Sequence, residues 1–128
     1  GQLIIYTMIN TKKNSINIRQ IVSILEESVI YFLNSLKIQS FAKKDAPGVY
    51  IDGKKIASVG LRLKDNFTYH GLSLNINMDL SPFENINPCG YENLTMTQLS
   101  DFNTEYNLER CAYDIVNFIK NNLKVPHE

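Results

Sequence analysis

Between Ile18 and Leu36 the apolar residues Ile18, Ile21, Val22, Leu25, Val29, Phe32, Leu33 and Leu36 recur in steps of three and four. That spacing predicts a helix with one apolar face over about five turns. Asn17 precedes it and Gln20 follows three residues on, the pairing of a capping box, so the helix should start there. A β-branched and aromatic run over 2–9 predicts a strand, and Thr11 to Ser15 a polar loop. Beyond the helix, Ala46-Pro47-Gly48 should break the chain before Val49-Tyr50-Ile51, and Asp52-Gly53 is a two-residue hairpin signal. Strands over 54–64 and 67–78, turned at Asp65-Asn66, would complete an antiparallel meander. Ser81-Pro82 and Pro88 mark an irregular segment. Leu108, Cys111, Ala112, Ile115, Val116, Ile119 and Leu123 then predict a last helix over roughly 107–123.

A chain of 128 residues suits one domain with one core, and 44% hydrophobic with 20% charged residues is ordinary globular composition. No repeat, low-complexity tract or linker divides it. Formal charge is zero, so there is no overall basic footprint for nucleic acid. The halves differ: residues 1–64 carry +6 and residues 65–128 carry −6. Either the two halves neutralise each other across the fold, or the first half offers a basic face to an acidic partner. No apolar run reaches membrane-spanning length, and no charged-then-apolar leader is present. Two cysteines in a chain of this size fit free thiols in a reducing compartment better than a disulfide framework. The chain opens Gly1-Gln2 directly into an apolar strand, which creates the expectation that further residues precede it.

The chemistry concentrates between Gly53 and Tyr91. Cys89 sits in a Pro88-Cys89-Gly90 turn, where proline stiffens the chain and glycine lets a substrate approach the backbone. It is either a nucleophile or a small residue filling a gap under a loop. Cys111, at a core position of the last helix, should be structural. An unperturbed cysteine, with a pKa of about 8.5, is only roughly 3% thiolate at neutral pH, and a nearby ammonium would raise that fraction. Lys54 and Lys55 are the candidates. If strand side chains alternate strictly, Lys55 shares a face with Ala57, Val59, Leu61 and Leu63, and Lys54 shares one with Ile56, Ser58, Gly60 and Arg62. Either lysine could instead lead to solvent. His70 offers a rival Cys–His pair of the thiol-hydrolase type, although no orienting Asp or Asn stands at a recognisable spacing. His127 lies in the tail. The scattered His and Cys have no zinc-site spacing, and the glycines form no phosphate loop.

The segments Asp45-Ala46-Pro47-Gly48-Val49-Tyr50, Lys54-Lys55-Ile56-Ala57-Ser58-Val59-Gly60-Leu61-Arg62, Phe67 to Asp79 and Asn87-Pro88-Cys89-Gly90-Tyr91 closely resemble the lipoyl(octanoyl) transferase family. The resemblance covers almost the whole chain and weakens after about Thr97. It implies the α/β (α+β) fold of biotin and lipoate protein ligases: a mixed or antiparallel sheet packed by helices. It implies a single catalytic domain over 1–128 that lacks its N-terminal part. Of the family's upstream motif, Arg-Gly-Gly-x-x-Thr-x-His-x-Pro-Gly-Gln, only Gly1-Gln2 is present here.

By that resemblance Cys89 is the acyl-thioester nucleophile and Lys55 its partner in a dyad. Ser58, Val59, Gly60, Gly71, Leu72 and Ser73 fall in substrate-binding stretches. The implied reaction moves an octanoyl group from acyl carrier protein to a lysine of lipoyl-accepting domains, in the 2-oxoacid dehydrogenase complexes and the glycine-cleavage H protein. The expected partners are therefore proteins, with no nucleic acid, membrane, metal or other cofactor, and the expected location is the cytoplasm. A thiol hydrolase using Cys89 and His70 and a non-catalytic remnant that still binds partners are the other two readings.

Overall fold

A computed structural model describes residues 1–80, 95–102 and 105–123. The strands are β1 (Gln2–Tyr6), β2 (Phe41–Lys43), β3 (Ala46–Ile51), β4 (Lys54–Lys64) and β5 (Phe67–Asn75), and the helices are α1 (Ile18–Ser35) and α2 (Leu108–Leu123). Among the described residues the strands form one sheet in the order β1-β5-β4-β3-β2, with every neighbouring pair antiparallel. This is the expected antiparallel sheet with helices.

The capping box forms as the sequence predicts. Asn17 Oδ1 accepts from the Gln20 N–H at 2.8 Å, and Gln20 Oε1 accepts from the Asn17 N–H at 2.9 Å. Two otherwise orphaned donors are satisfied, an arrangement that stabilises a helix by about 1 kcal/mol. At the other end the Lys37 N–H reaches the Asn34 carbonyl and the Ile38 N–H the Leu33 carbonyl, both at 2.9 Å. Lys37 adopts φ +63° to close this Schellman turn, a conformation usually given to glycine. Between its caps α1 buries Ile21, Leu25, Val29 and Leu33 completely against the sheet. The exposed Tyr31 ring of α1 meets Phe118 of α2 at 5.2 Å between centroids.

Three predicted features change. Gly48 does not end a break but lies inside β3, opposite Ser58, with φ +144°. A Cβ there would come 2.7 Å from the Ala57 carbonyl oxygen and 2.8 Å from Lys55 Cε, so only glycine lets the two strands meet. Second, strict alternation fails in β4. Val49 pairs with Ala57 and Tyr50 with Lys55, which leaves Ile56 as an extra residue on β4. Ile56 and Ala57 are therefore both in the core. Third, the outer strands are shorter than their apolar runs. His70, at φ +71°, interrupts the β1–β5 ladder after Tyr6↔Gly71, and the Ile76 and Asn77 N–H groups both turn to the Gly1 carbonyl.

One buried carboxylate ties the helix to the sheet. Glu26 of α1 accepts the Gly48 N–H at 2.9 Å and is only 8% exposed. Burial raises its pKa, partly offset by that hydrogen bond. A carboxyl whose folded pKa lies above its unfolded value binds more protons in the native state, so its contribution to stability falls as pH rises through that window. Glu26→Gln retains an acceptor and removes the charge. It should be more stable than the parent protein at pH 7, and urea titrations should show the difference shrinking as pH falls toward 4.5.

Candidate functional site

The pairing of β4 with β5 runs unbroken from Ala57↔Leu74 to Lys64↔Phe67. On the side that faces α1, Leu72 and Leu74 pack with Ala57 and Val59, joined from β1 by Leu3 and Ile5. Strand residues alternate between faces, so the opposite side carries Ser58 against Ser73 and Gly60 against Gly71. These four small residues make a shallow floor. β1 borders it with Ile4, opposite Ser73, and Tyr6, opposite Gly71, both exposed large residues.

The two glycines are there for different reasons. A Cβ on Gly71 would lie 2.1 Å from the Ile5 carbonyl oxygen, so Gly71 allows β1 to approach β5. A Cβ on Gly60 would meet nothing within 4 Å. The fold does not require glycine at position 60, and its effect is to leave the floor open.

Lys55 stands at one end of this floor. Its Cε packs beside Gly48, and its ammonium nitrogen is 3.6 Å from where a Gly48 Cβ would be. Gly48, Ser58, Ser73 and Ile4 form one register row across four strands, so the ammonium reaches the head of the floor. Lys55 is buried, whereas Lys54 is exposed. The Lys55 backbone is held by a returning segment, residues 95–97. Its N–H donates to the Thr95 carbonyl at 2.8 Å, and its carbonyl accepts the Thr97 N–H at 2.9 Å. Residues 95–97 take the place beside β4 that β5 leaves after Leu74.

Polar side chains close the same end. Gln2 Nε2 donates to Asn75 Oδ1 at 3.0 Å, Asn75 Nδ2 donates to the Thr97 carbonyl at 3.1 Å, and Thr97 Oγ1 bonds Asp101 Oδ2 at 3.1 Å. Asn75 and Thr97 are each 2% exposed, and together they clamp the returning segment to the sheet. Sequence reasoning gave neither of them a role. The only signal was an amide ending an otherwise apolar strand, which says nothing about its partner.

Of the residues singled out from sequence, Lys55, Ser58, Gly60, Gly71 and Ser73 come together around the floor. Val59 and Leu72 belong to the same strands but pack toward α1. Cys89 and His127 lie outside the described residues. Cys111 is buried in α2, and its thiol pKa is raised, mainly by burial. His70 pairs with Leu61 and sets its ring 4.8 Å from that of Tyr69, toward the hairpin tip and away from the Gly48–Ser58–Ser73 row. Among the described residues, no cluster of three or more His, Cys, Asp or Glu could hold a metal ion, and no helix is long and apolar enough to cross a membrane.

Comparison with known proteins follows the same lines. An octanoyltransferase of Buchnera aphidicola is 46% identical over 125 residues, covering 98% of this chain and 59% of its own length. One from Mannheimia succiniciproducens is 57% identical over 107 residues, covering 80% of this chain and 48% of its own length. The chain thus spans about half the length of the curated relatives it matches. The fold is that of the biotin protein ligase of Aquifex aeolicus, with a TM-score of 0.75 at 22% identity over 97% of this chain and 53% of that one. Lipoate-protein ligase A bound with ATP gives a TM-score of 0.66 at 11% identity, over 88% of this chain and 49% of that one. The model of the lipoyl protein ligase A/B catalytic domain matches residues 1–119. Extending from β1 through three-quarters of α2, that match takes in the floor, the lysine at its head and the segment returning to it, and the chain belongs to the lipoyl protein ligase A/B catalytic domain family.

Proposed function

We propose that this chain is the dyad-bearing part of an octanoyltransferase. It moves an octanoyl group from acyl carrier protein to a lysine of lipoyl-accepting domains through a thioester on Cys89. The observation that carries this reading is the buried Lys55, whose ammonium stands at the head of the small-residue floor and whose backbone is bonded to Thr95. Relatives named octanoyltransferase at 46–57% identity support the same acyl group.

The chemistry is ping-pong. The Cys89 thiolate attacks the donor's thioester carbonyl, the acyl–sulfur bond to the carrier breaks, and the carrier thiol leaves. The amine of the acceptor lysine then attacks the Cys89 thioester. An amide forms, and the thiolate is regenerated. Lys55 first favours the thiolate, then gives a proton to the departing carrier sulfur, and as the neutral amine takes up the proton released when the acceptor lysine attacks. The donor already holds the acyl group as an activated thioester, so the cycle consumes no nucleotide. Ser58, Gly60, Gly71 and Ser73 let the acyl chain lie against the sheet, with Val59 and Leu72 supporting the floor from beneath. The proposed acceptors are the lipoyl domains of 2-oxoacid dehydrogenases and the glycine-cleavage H protein, and the proposed location of the reaction is the cytoplasm.

Mass mapping after incubation of the complete gene product with octanoyl-acyl carrier protein should find a hydroxylamine-labile octanoyl group on Cys89. Label on Cys111 instead would refute the nucleophile assignment. In Lys55→Met the pH profile of Cys89 alkylation by iodoacetamide should move upward, while Lys54→Met leaves it in place. Identical profiles for the two variants would eliminate the dyad.

Gly60→Leu and Gly71→Ala separate the floor from the fold. The first meets open space, so its stability should stay within about 0.5 kcal/mol of the parent. Lifting three methylenes of the acyl chain off the floor would cost about 2 kcal/mol of binding, roughly thirtyfold in transfer. Gly71→Ala presses on the Ile5 carbonyl and should destabilise the protein by about 1–3 kcal/mol. Thermal melts and transfer assays on both variants test the distinction. Full activity in Gly60→Leu would remove the floor from the acyl site.

Arg19, Lys43 and Lys44 line a cavity of about 410 Å³ between α1 and the β2–β3 turn, together with Glu26 and Asp45. Such a rim suits an acidic carrier. Donor affinity should fall as salt rises past the range where the Debye length is about 8 Å. A flat salt dependence would exclude the rim as the docking face.

A further inference from the structure

The floor has a defined length, and its far end carries a chemical change. From Ser58 the unbroken β4–β5 register continues two residues to Gly60 and two more to Arg62, so all three share a face. Arg62 lies opposite Tyr69, just as Gly60 lies opposite Gly71. The first two rows are serine and glycine. The third carries arginine and tyrosine, both exposed, where the floor would otherwise continue. The Tyr69 ring lies 4.8 Å from that of His70, which has φ +71°. We infer that the Arg62–Tyr69 row is the chain-length stop of the acyl site, setting a preference for medium-chain over long-chain acyl groups. This rests on the transferase reading above and specifies which substrates that site accepts.

Distances along the sheet support the assignment. Each strand residue rises about 3.4 Å, so the Gly60–Gly71 row lies about 7 Å beyond the Ser58–Ser73 row and the Arg62–Tyr69 row about 14 Å beyond it. A reacting carbonyl near the Lys55 ammonium starts the chain at the Ser58–Ser73 row. An extended octanoyl group has seven C–C bonds of about 1.5 Å in zigzag and spans about 9 Å. Its methyl end passes the glycines and stops about 5 Å short of the third row, close to van der Waals contact with a ring there. A dodecanoyl group, with eleven such bonds, spans about 14 Å and would drive its terminal methylenes into that row. There it must displace the Tyr69 ring or strip water from the Arg62 guanidinium, and neither is compensated by apolar contact.

The test is a competition in the complete gene product between octanoyl- and dodecanoyl-loaded carrier, with the product ratio on a lipoyl domain read by mass. The parent protein should favour octanoyl at least tenfold. Tyr69→Ala removes the ring, and Arg62→Leu extends the apolar floor without removing packing. Each should raise the dodecanoyl share at least tenfold, while Tyr69→Phe should keep the parent ratio. Arg62→Leu gives the same readout if Tyr69→Ala does not fold. An unchanged ratio in variants that still transfer octanoyl would overturn the chain-length stop and leave the transferase reading intact. A parent protein that transfers neither group would overturn the transferase reading, and the chain-length stop with it.

Discussion

The antiparallel register between β4 and β5 is the constraint on which the rest of this molecule depends, because a slip by one residue would exchange the two faces of the sheet. As paired, Leu72 and Leu74 turn inward with Ala57 and Val59, and the serines and glycines turn out. Slipped by one, β5 would present leucines to the open face and serine and glycine to α1. The hairpin turn sets that register at one end, with Asp65 and Asn66 both at positive φ. Burial against α1 sets it along the rest. The same alignment that makes a core therefore makes the floor, and neither can change without the other.

Lys55 owes its position to three features that lie far apart in the chain. The extra residue at Ile56 takes β4 out of simple alternation there. Gly48 provides the space beside the lysine stem, and Glu26 anchors Gly48 from the helix side through its N–H. On the other flank, Thr95 and Thr97 replace β5 as the backbone partner. A buried lysine stem is thus supported on both sides by main chain. The buried polar groups nearby are each given a partner: Glu26 by Gly48, and Asn75 by Gln2 and Thr97. Groups of this kind cost stability when left unbonded, and here they join α1, β5 and the returning segment to the site.

Much of the local structure was legible in the amino-acid pattern. Helical spacing and the Asn17–Gln20 pair located α1, and Asp52-Gly53 and Asp65-Asn66 located the hairpins, because caps and turns are decided by a few adjacent residues. The family resemblance indicated Lys55 over Lys54, and burial separates the same two residues. Position in the sheet was less legible. Val59 and Leu72 stand in the same short segments as Ser58, Gly60, Gly71 and Ser73, yet face the core, because membership of a motif does not distinguish the two sides of a strand.

What the sequence determined by itself was therefore the two helices, four of the five described strands without the short β2, the hairpin turns at Asp52-Gly53 and Asp65-Asn66, and the residue types available for thiol chemistry. Those depend on interactions between near neighbours, which the order of residues states directly. Only the tertiary structure decided that Gly48, Ser58, Ser73 and Ile4 lie in one row, that Glu26 bonds Gly48, and that Thr95 meets Lys55. These contacts join residues tens of positions apart. Their formation depends on strand order, on a bulge at Ile56 and on the space left by missing Cβ atoms, and none of these follows from local propensity.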